Sequence, residues 1–179
     1  MPPAVTPVPP ARMKGMAQQI VVKKAAELSV KAPAGEFVAV LDQSGSTRDP
    51  KQSKSQDHNN GWLSLTPGVA EGGVLKATGK YYLPAATTNA PTTLRFTVRK
   101  QSKTGILVYS DKSLKVVPTD TDRWVDFEIE LPLKDPAVPS DTNYILMLSA
   151  APLAGPLYLD NVEVKDAAGK AFWAYPSFE

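Results

Sequence analysis

The sequence predicts an all-β fold: a two-sheet antiparallel β-sandwich preceded by an extended N-terminal arm. Three observations carry this expectation. Apolar and polar residues alternate in short runs along most of the chain, the period that sends neighbouring side chains to opposite faces of a strand. The 179 residues include 17 prolines and 11 glycines, which break the chain into turns rather than long helices. No stretch sustains a 3.6-residue apolar period between helix caps.

The arm comes first. Residues 1–18 hold Pro2, Pro3, Pro7, Pro9 and Pro10, which favour an extended polyproline-like path. From Met1 to Lys24 the only charges are Arg12, Lys14, Lys23 and Lys24, so the arm is basic. The sandwich is expected over 19–179. Gln19–Lys23 and Glu27–Val30 read as short strands, and Glu36–Asp42 as a stronger one with Val38 and Val40 in a β-rich run. Gln43–Asn60 carries no large apolar side chain and is expected to be a long polar loop.

From Gly61 and Trp62 onward the strands come closer together. Gly73–Pro84 reads as a hairpin or a pair of strands around Gly79. Thr93–Arg99 puts Leu94, Phe96 and Val98 on one face. Thr104–Ser110 and Ser113–Val117 read as two strands joined through Asp111 and Lys112. In Arg123–Leu131, Val125, Phe127, Ile129 and Leu131 face a core, while Trp124, Asp126, Glu128 and Glu130 face out. Asn143–Ala150 is nearly all apolar, as a strand buried on both faces should be. Pro156–Val164 and Lys170–Tyr175 complete the series.

Composition excludes several functions. With no cysteine there is no disulfide, thiolate metal site or cysteine nucleophile. A net charge of +2 without a concentrated basic patch does not point to nucleic acid. No run is long and apolar enough to suggest a membrane partner. His58 is the only histidine, and the carboxylates of Asp126, Glu128 and Glu130 share one strand face rather than flanking a cleft. The reading is therefore of a protein that is not an enzyme. Asp42, Ser44 and Ser46 follow an apolar strand in a D-x-S-x-S pattern that resembles the metal-ion-dependent adhesion motif of von Willebrand A domains, in which these residue types supply hard oxygen ligands to Mg²⁺. The polar, Pro50-containing stretch after them lacks the helix such a site needs.

Three segments in order carry a family resemblance: G-K-Y-Y-L-P (Gly79–Pro84), D-R-W-V-D-F-E-I-E-L (Asp122–Leu131) and L-Y-L-D-N-V-E-V (Leu157–Val164). Together they resemble the galactose-binding-like jelly rolls, in particular carbohydrate-binding module families four and nine, over roughly Gly73 to Gly169. The resemblance implies a jelly-roll sandwich whose last strand ends in D-N-V. It also implies a structural Ca²⁺ held through Asp160, with Glu179 of the terminal P-S-F-E as a second ligand. Two carboxylates fall well short of the six to eight oxygens Ca²⁺ takes, so acceptance of backbone hydrogen bonds is the favoured role for Asp160. No other cofactor is expected. A glycan platform needs exposed aromatics for stacking, and Trp62, Tyr109, Trp124 and Trp173 are the candidates, although the family resembled usually packs the Trp of the Trp124 strand structurally. Large aromatics in a sandwich nonetheless pack in the core more often than they meet a ligand.

Two functional classes compete. The first expectation is a virion protein of a tailed phage: a capsid decoration or cement protein, made in the host cytoplasm without a signal peptide. Its arm (Pro2, Pro3, Pro7, Pro9, Pro10, Arg12, Lys14, Lys23, Lys24) and first strands would clamp subunits of a major capsid protein. A homotrimer is what that class implies. The alternative is a carbohydrate-binding module that recognises a polysaccharide through exposed aromatics. An accessory domain of a surface adhesin ranks third.

Overall fold

The computed structural model describes residues 21–41, 59–65, 70–85, 92–102, 105–116, 120–133, 143–151 and 156–174. The arm residues Pro2 to Lys14, residues 43–58 of the polar stretch 43–60, and the C-terminal 175–179 lie outside the described residues.

Among the described residues, ten strands form two antiparallel sheets: β1 (Val21–Lys24), β2 (Phe37–Leu41), β3 (Asn59–Ser64), β4 (Val74–Tyr82), β5 (Thr92–Ser102), β6 (Gly105–Val116), β7 (Trp124–Pro132), β8 (Asn143–Ala151), β9 (Leu157–Asp166) and β10 (Ala171–Ala174). The larger sheet runs β1-β2-β9-β4-β7, with β10 also on β9, and the smaller runs β3-β8-β5-β6. Neighbours in a sheet are mostly distant in sequence, which is the jelly-roll arrangement. All-β architecture and the two-sheet sandwich are as the alternation predicts.

The core lies between the sheets. Leu75, Ala77 and Tyr81 of β4, Leu94, Phe96 and Val98 of β5, Phe127 and Leu131 of β7, and Leu157, Leu159, Val162 and Val164 of β9 interdigitate there. Phe96 and Phe127 meet across it with ring centroids 5.1 Å apart. The predicted inward face of β7 is correct, with Val125 and Ile129 packed against the cluster from its margin. Among the described residues, both faces are buried most clearly in β2 and the first half of β9. Of the apolar strand 143–150, the side chains of Leu146 and Leu148 are described, and both are buried.

Four sequence expectations give way to specific physical causes. Gly79 does not turn the chain: β4 is one strand, and Gly79 sits mid-strand opposite Phe127. A β-carbon there would lie 2.8 Å from the Phe127 ring and 3.2 Å from the carbonyl oxygen of Asp160, so the glycine answers a close approach. Strand β6 is continuous through Asp111 and Lys112. Its irregularity falls at Tyr109, which lies between the partners of Val98 and Arg99 and is absorbed as a bulge. Asn59 and Asn60 open β3 despite poor strand propensity, because they pair with Ala150 and Ser149 of β8.

The fourth correction concerns 25–36. The E-L-S-V segment does not form a strand. Ala25–Leu28 is a single 3-10 turn, closed by Ser29 in the left-handed region. The chain then crosses the outer face of the larger sheet as a strap. Ala25 packs with Val38, Val40 and Tyr158 in a second, smaller cluster, and Leu28, Val30 and Ala32 join it from the strap. Three hydrogen bonds pin the strap. Ala25 N–H donates to the Glu36 carbonyl (2.9 Å), the Trp124 indole N–H to the Lys31 carbonyl (2.8 Å), and Ala34 N–H to Asp160 Oδ2 (2.9 Å).

Asp166 fixes the end of β9. Its carboxylate accepts the N–H groups of Glu71 (3.0 Å), Ala168 (3.0 Å) and Lys170 (2.9 Å), tying the β9–β10 turn to the 3-10 turn before β4. The bond from Glu71 is the chief reason its pKa lies below the usual carboxylate value. The Ala168 and Lys170 amides and the Lys170 charge act in the same direction against the cost of burial.

Candidate binding face

Strand alternation assigns the outer face of the larger sheet row by row. Tyr82, Trp124 and Tyr158 are cross-strand partners in one row, Lys80, Asp126 and Asp160 in the next, and Thr78, Glu128 and Glu163 in the third. The rows are spaced at about 7 Å, two residues of strand rise. Tyr82 anchors the aromatic row, with ring centroids 5.4 Å from Trp124 and 6.0 Å from Tyr158. The strap covers the Tyr158 end and pins the indole N–H, which leaves Trp124 half-buried in a fixed orientation.

Beyond the strap the face opens into a shallow depression of about 480 Å³. Thr78, Asp126, Glu128, Asn161 and Glu163 line it, with Gly79 and Phe127 between them. Its carboxylates are each held by a lysine: Asp126 by Lys80, Glu128 by Lys76 at 3.1 Å, and Glu163 by Lys165 at 2.9 Å. Exposed pairs of this kind add little stability, but they restrict where the carboxylate oxygens sit.

The depression originates in a bulge. On β9, Asp160 pairs with Lys80 and Glu163 with Thr78, so Asn161 and Val162 together oppose Gly79. Asn161 takes the left-handed conformation, φ 54°, which asparagine tolerates better than other residues with a β-carbon. Its N–H donates to Asp160 Oδ1 at 2.7 Å.

Asp160 is fully buried, and its two carboxylate oxygens accept from Asn161 and Ala34. This is the backbone-accepting role favoured from sequence. Its proposed co-ligand Glu179 lies outside the described residues, and among those described no three His, Cys, Asp or Glu side chains are grouped to hold a metal.

The expected platform residues separate. Trp173 is only 4% exposed and belongs to the main core, so it is not a ligand platform; β10 turns it inward against β9. Trp124 is on the outer face as predicted. Trp62 belongs to β3 and is paired in register with Met147 of β8. Tyr109 marks the β6 bulge. Of the basic arm, Lys23 and Lys24 are in β1 and pair with Val38 and Phe37 of their own sheet, which makes them part of the sandwich rather than of a free arm. Lys24 Nζ lies 5.9 Å from the centre of the Phe37 ring. Sequence reasoning did not single out Thr78, Asn161 or Glu163; the available signal was the Asp-Asn pair interrupting the alternation of β9.

No protein-family model matches the chain, and no curated protein matches it in sequence. Solved structures do match in fold. The CBM22-1 xylan-binding domain of Paenibacillus barcinonensis Xyn10C superposes with a TM-score of 0.50 at 20% identity, over 87% of this chain and 83% of that one. A candidate sugar-binding protein from Bacteroides thetaiotaomicron gives 0.52 at 11% identity, over 83% and 81%. A structure of carbohydrate-binding modules from the β-sandwich superfamily, described for promiscuous specificity, gives 0.51 at 16% identity, over 83% of this chain and 54% of that one. The protein thus has the jelly-roll β-sandwich fold found among carbohydrate-binding modules.

Proposed function

We propose that this protein is a non-catalytic carbohydrate-binding domain that recognises a polysaccharide on the outer face of its larger sheet. One observation carries the reading: a half-buried aromatic row, fixed at one end by the strap, lies beside a polar depression on the same outer face. Sugar recognition needs an apolar ring face for the C–H side of a pyranose and convergent hydrogen-bonding groups for its hydroxyls. Trp124 and Tyr82 supply the first, and Thr78, Asn161 and the paired carboxylates the second. The fold shared with the xylan-binding domain is consistent with this use, although fold alone does not assign a ligand. The capsid-clamping reading rests on Pro2 to Lys14, outside the described residues, and draws no support from the fold or its relatives.

Affinity electrophoresis against soluble xylan, mixed-linked β-glucan and hydroxyethyl cellulose tests the proposal. Retardation of the wild type by at least one polysaccharide, reduced in an Asp126→Ala/Glu163→Ala double variant, is the expected result. Retardation abolished by Trp62→Ala but untouched by the double variant moves the site to the smaller sheet. No retardation by any of them overturns the reading.

A further inference from the structure

We propose that Asn161 is the specificity-determining residue of the depression and that Asp160 is its positioning residue, for a neutral glycan with adjacent hydroxyls. The inference rests on the carbohydrate-binding reading above. The chemistry of the lining decides it. The ionised side chains of Asp126, Glu128 and Glu163 can only accept hydrogen bonds. Each sugar hydroxyl both donates and accepts, so a site walled by carboxylates alone leaves the hydroxyl oxygens unserved. Among the residues that line it, only Asn161 carries an amide, with two N–H donors beside a carbonyl acceptor; Thr78 adds one hydroxyl. An amide bracketed by carboxylates matches two neighbouring hydroxyls, one accepting from Asn161 and both donating to the acids. Each lining carboxylate is already paired with a lysine, so the depression has no surplus positive charge to receive a uronate, and a neutral glycan fits it better.

The backbone explains how the amide comes to be there. In a regular strand the residue after Asp160 would point into the core. The two-against-one bulge opposite Gly79 and the left-handed φ of Asn161 divert it to line the depression. Asp160 holds that conformation through the Asn161 N–H, and its other oxygen anchors the strap at Ala34. The strap in turn holds the Trp124 indole at Lys31. One buried carboxylate therefore links the polar end of the face to the aromatic end.

Asparagine is also the residue best suited to a left-handed bulge on backbone grounds alone, and the test must separate the two roles. Asn161→Gly keeps the left-handed backbone and removes the amide. Titration of full-length wild type and variants with xylohexaose and cellohexaose, alongside thermal unfolding, gives the readouts. Expected is an affinity loss of about five- to tenfold for Asn161→Gly with an unchanged melting temperature, and a similar loss for Asn161→Asp. Asp160→Asn should lower both stability and affinity. In the Asn161→Gly background it should lower stability only, a non-additivity that a merely structural aspartate would not produce. Wild-type binding that Asn161→Gly leaves intact overturns this proposal and spares the carbohydrate-binding reading. Absence of wild-type binding to either hexasaccharide or to the polysaccharides above overturns both.

Discussion

Gly79→Ala is the sharpest test of how the binding face is built. The new methyl would meet Phe127 Cζ at 2.8 Å, Cε1 at 3.0 Å and the backbone oxygen of Asp160 at 3.2 Å. Real β-carbons essentially never approach another heavy atom so closely, and the neighbours have little freedom to retreat. Phe127 is buried and packed on Phe96, and the Asp160 carbonyl is fixed by the β4–β9 ladder. Overpacking of this kind costs about 1–3 kcal/mol. Replacing a mid-strand glycine whose φ is not left-handed returns about 0.5–1 kcal/mol of backbone entropy. The net expectation is a loss of roughly 1–2 kcal/mol, or about 2–8 °C in melting temperature for a chain of this size. Scanning calorimetry and urea unfolding would measure it. In a Phe127→Leu background the ring is gone, and the same Gly79→Ala change should become neutral or slightly stabilising. An equal cost in both backgrounds, within about 0.5 kcal/mol, would refute the contact as the reason for the glycine.

Other perturbations follow from the same geometry. Asp166 has a folded-state pKa below its unfolded value of about 4. Its stabilisation is therefore complete above that unfolded value and lost as pH falls through the folded one. Urea midpoints should show Asp166→Asn destabilised at pH 7, with the gap to wild type narrowing as pH falls below the unfolded value. Trp124→Phe keeps an aromatic ring but removes the donor to the Lys31 carbonyl, so it should cost about 0.5–1.5 kcal/mol and speed hydrogen exchange at Ala34 and Val30 in the strap. Phe96→Ala empties the centre of the main core and should cost about 3–5 kcal/mol by chemical denaturation, without selective loosening of the strap.

Strands were legible where one face is buried and the other wet, because the period of two is then written in the residues. Thr93–Arg99 and Arg123–Leu131 are the clearest examples. The strap was misread for a related reason. Leu28, Val30 and Ala32 are apolar at alternate positions, which fits a strand, yet they serve a single face laid over Val38, Val40 and Tyr158. Nothing local separates the two cases, since the difference lies in what is on the other side. Trp173, a candidate platform residue, takes the role that large aromatics in a sandwich take more often: β10 pairs with β9 and sets it in the core. The depression was invisible because it depends on a register shift between strands far apart in sequence, Gly79 against Asn161 and Val162.

The D-N-V triplet now has a physical reading independent of any family. One edge of β9 is shared: β2 covers Leu157–Leu159 and β10 covers Glu163–Lys165. Among the described residues, no strand pairs with that edge at 160–162. A backbone amide left there in a buried setting needs an acceptor. A carboxylate is costly to bury unless it receives hydrogen bonds, and at this gap it receives two from the backbone, Asn161 N–H and the strap's Ala34 N–H. Aspartate thus closes the edge, asparagine takes the left-handed turn that the extra residue requires, and valine returns to the core at zero exposure. The same irregularity prevents strand β9 from presenting a flat outer face, and the depression lies beside it. A sheet without the bulge would have the aromatic row but no recess next to it. The departure from regular pairing between β4 and β9 therefore also recesses the outer face beside Asn161.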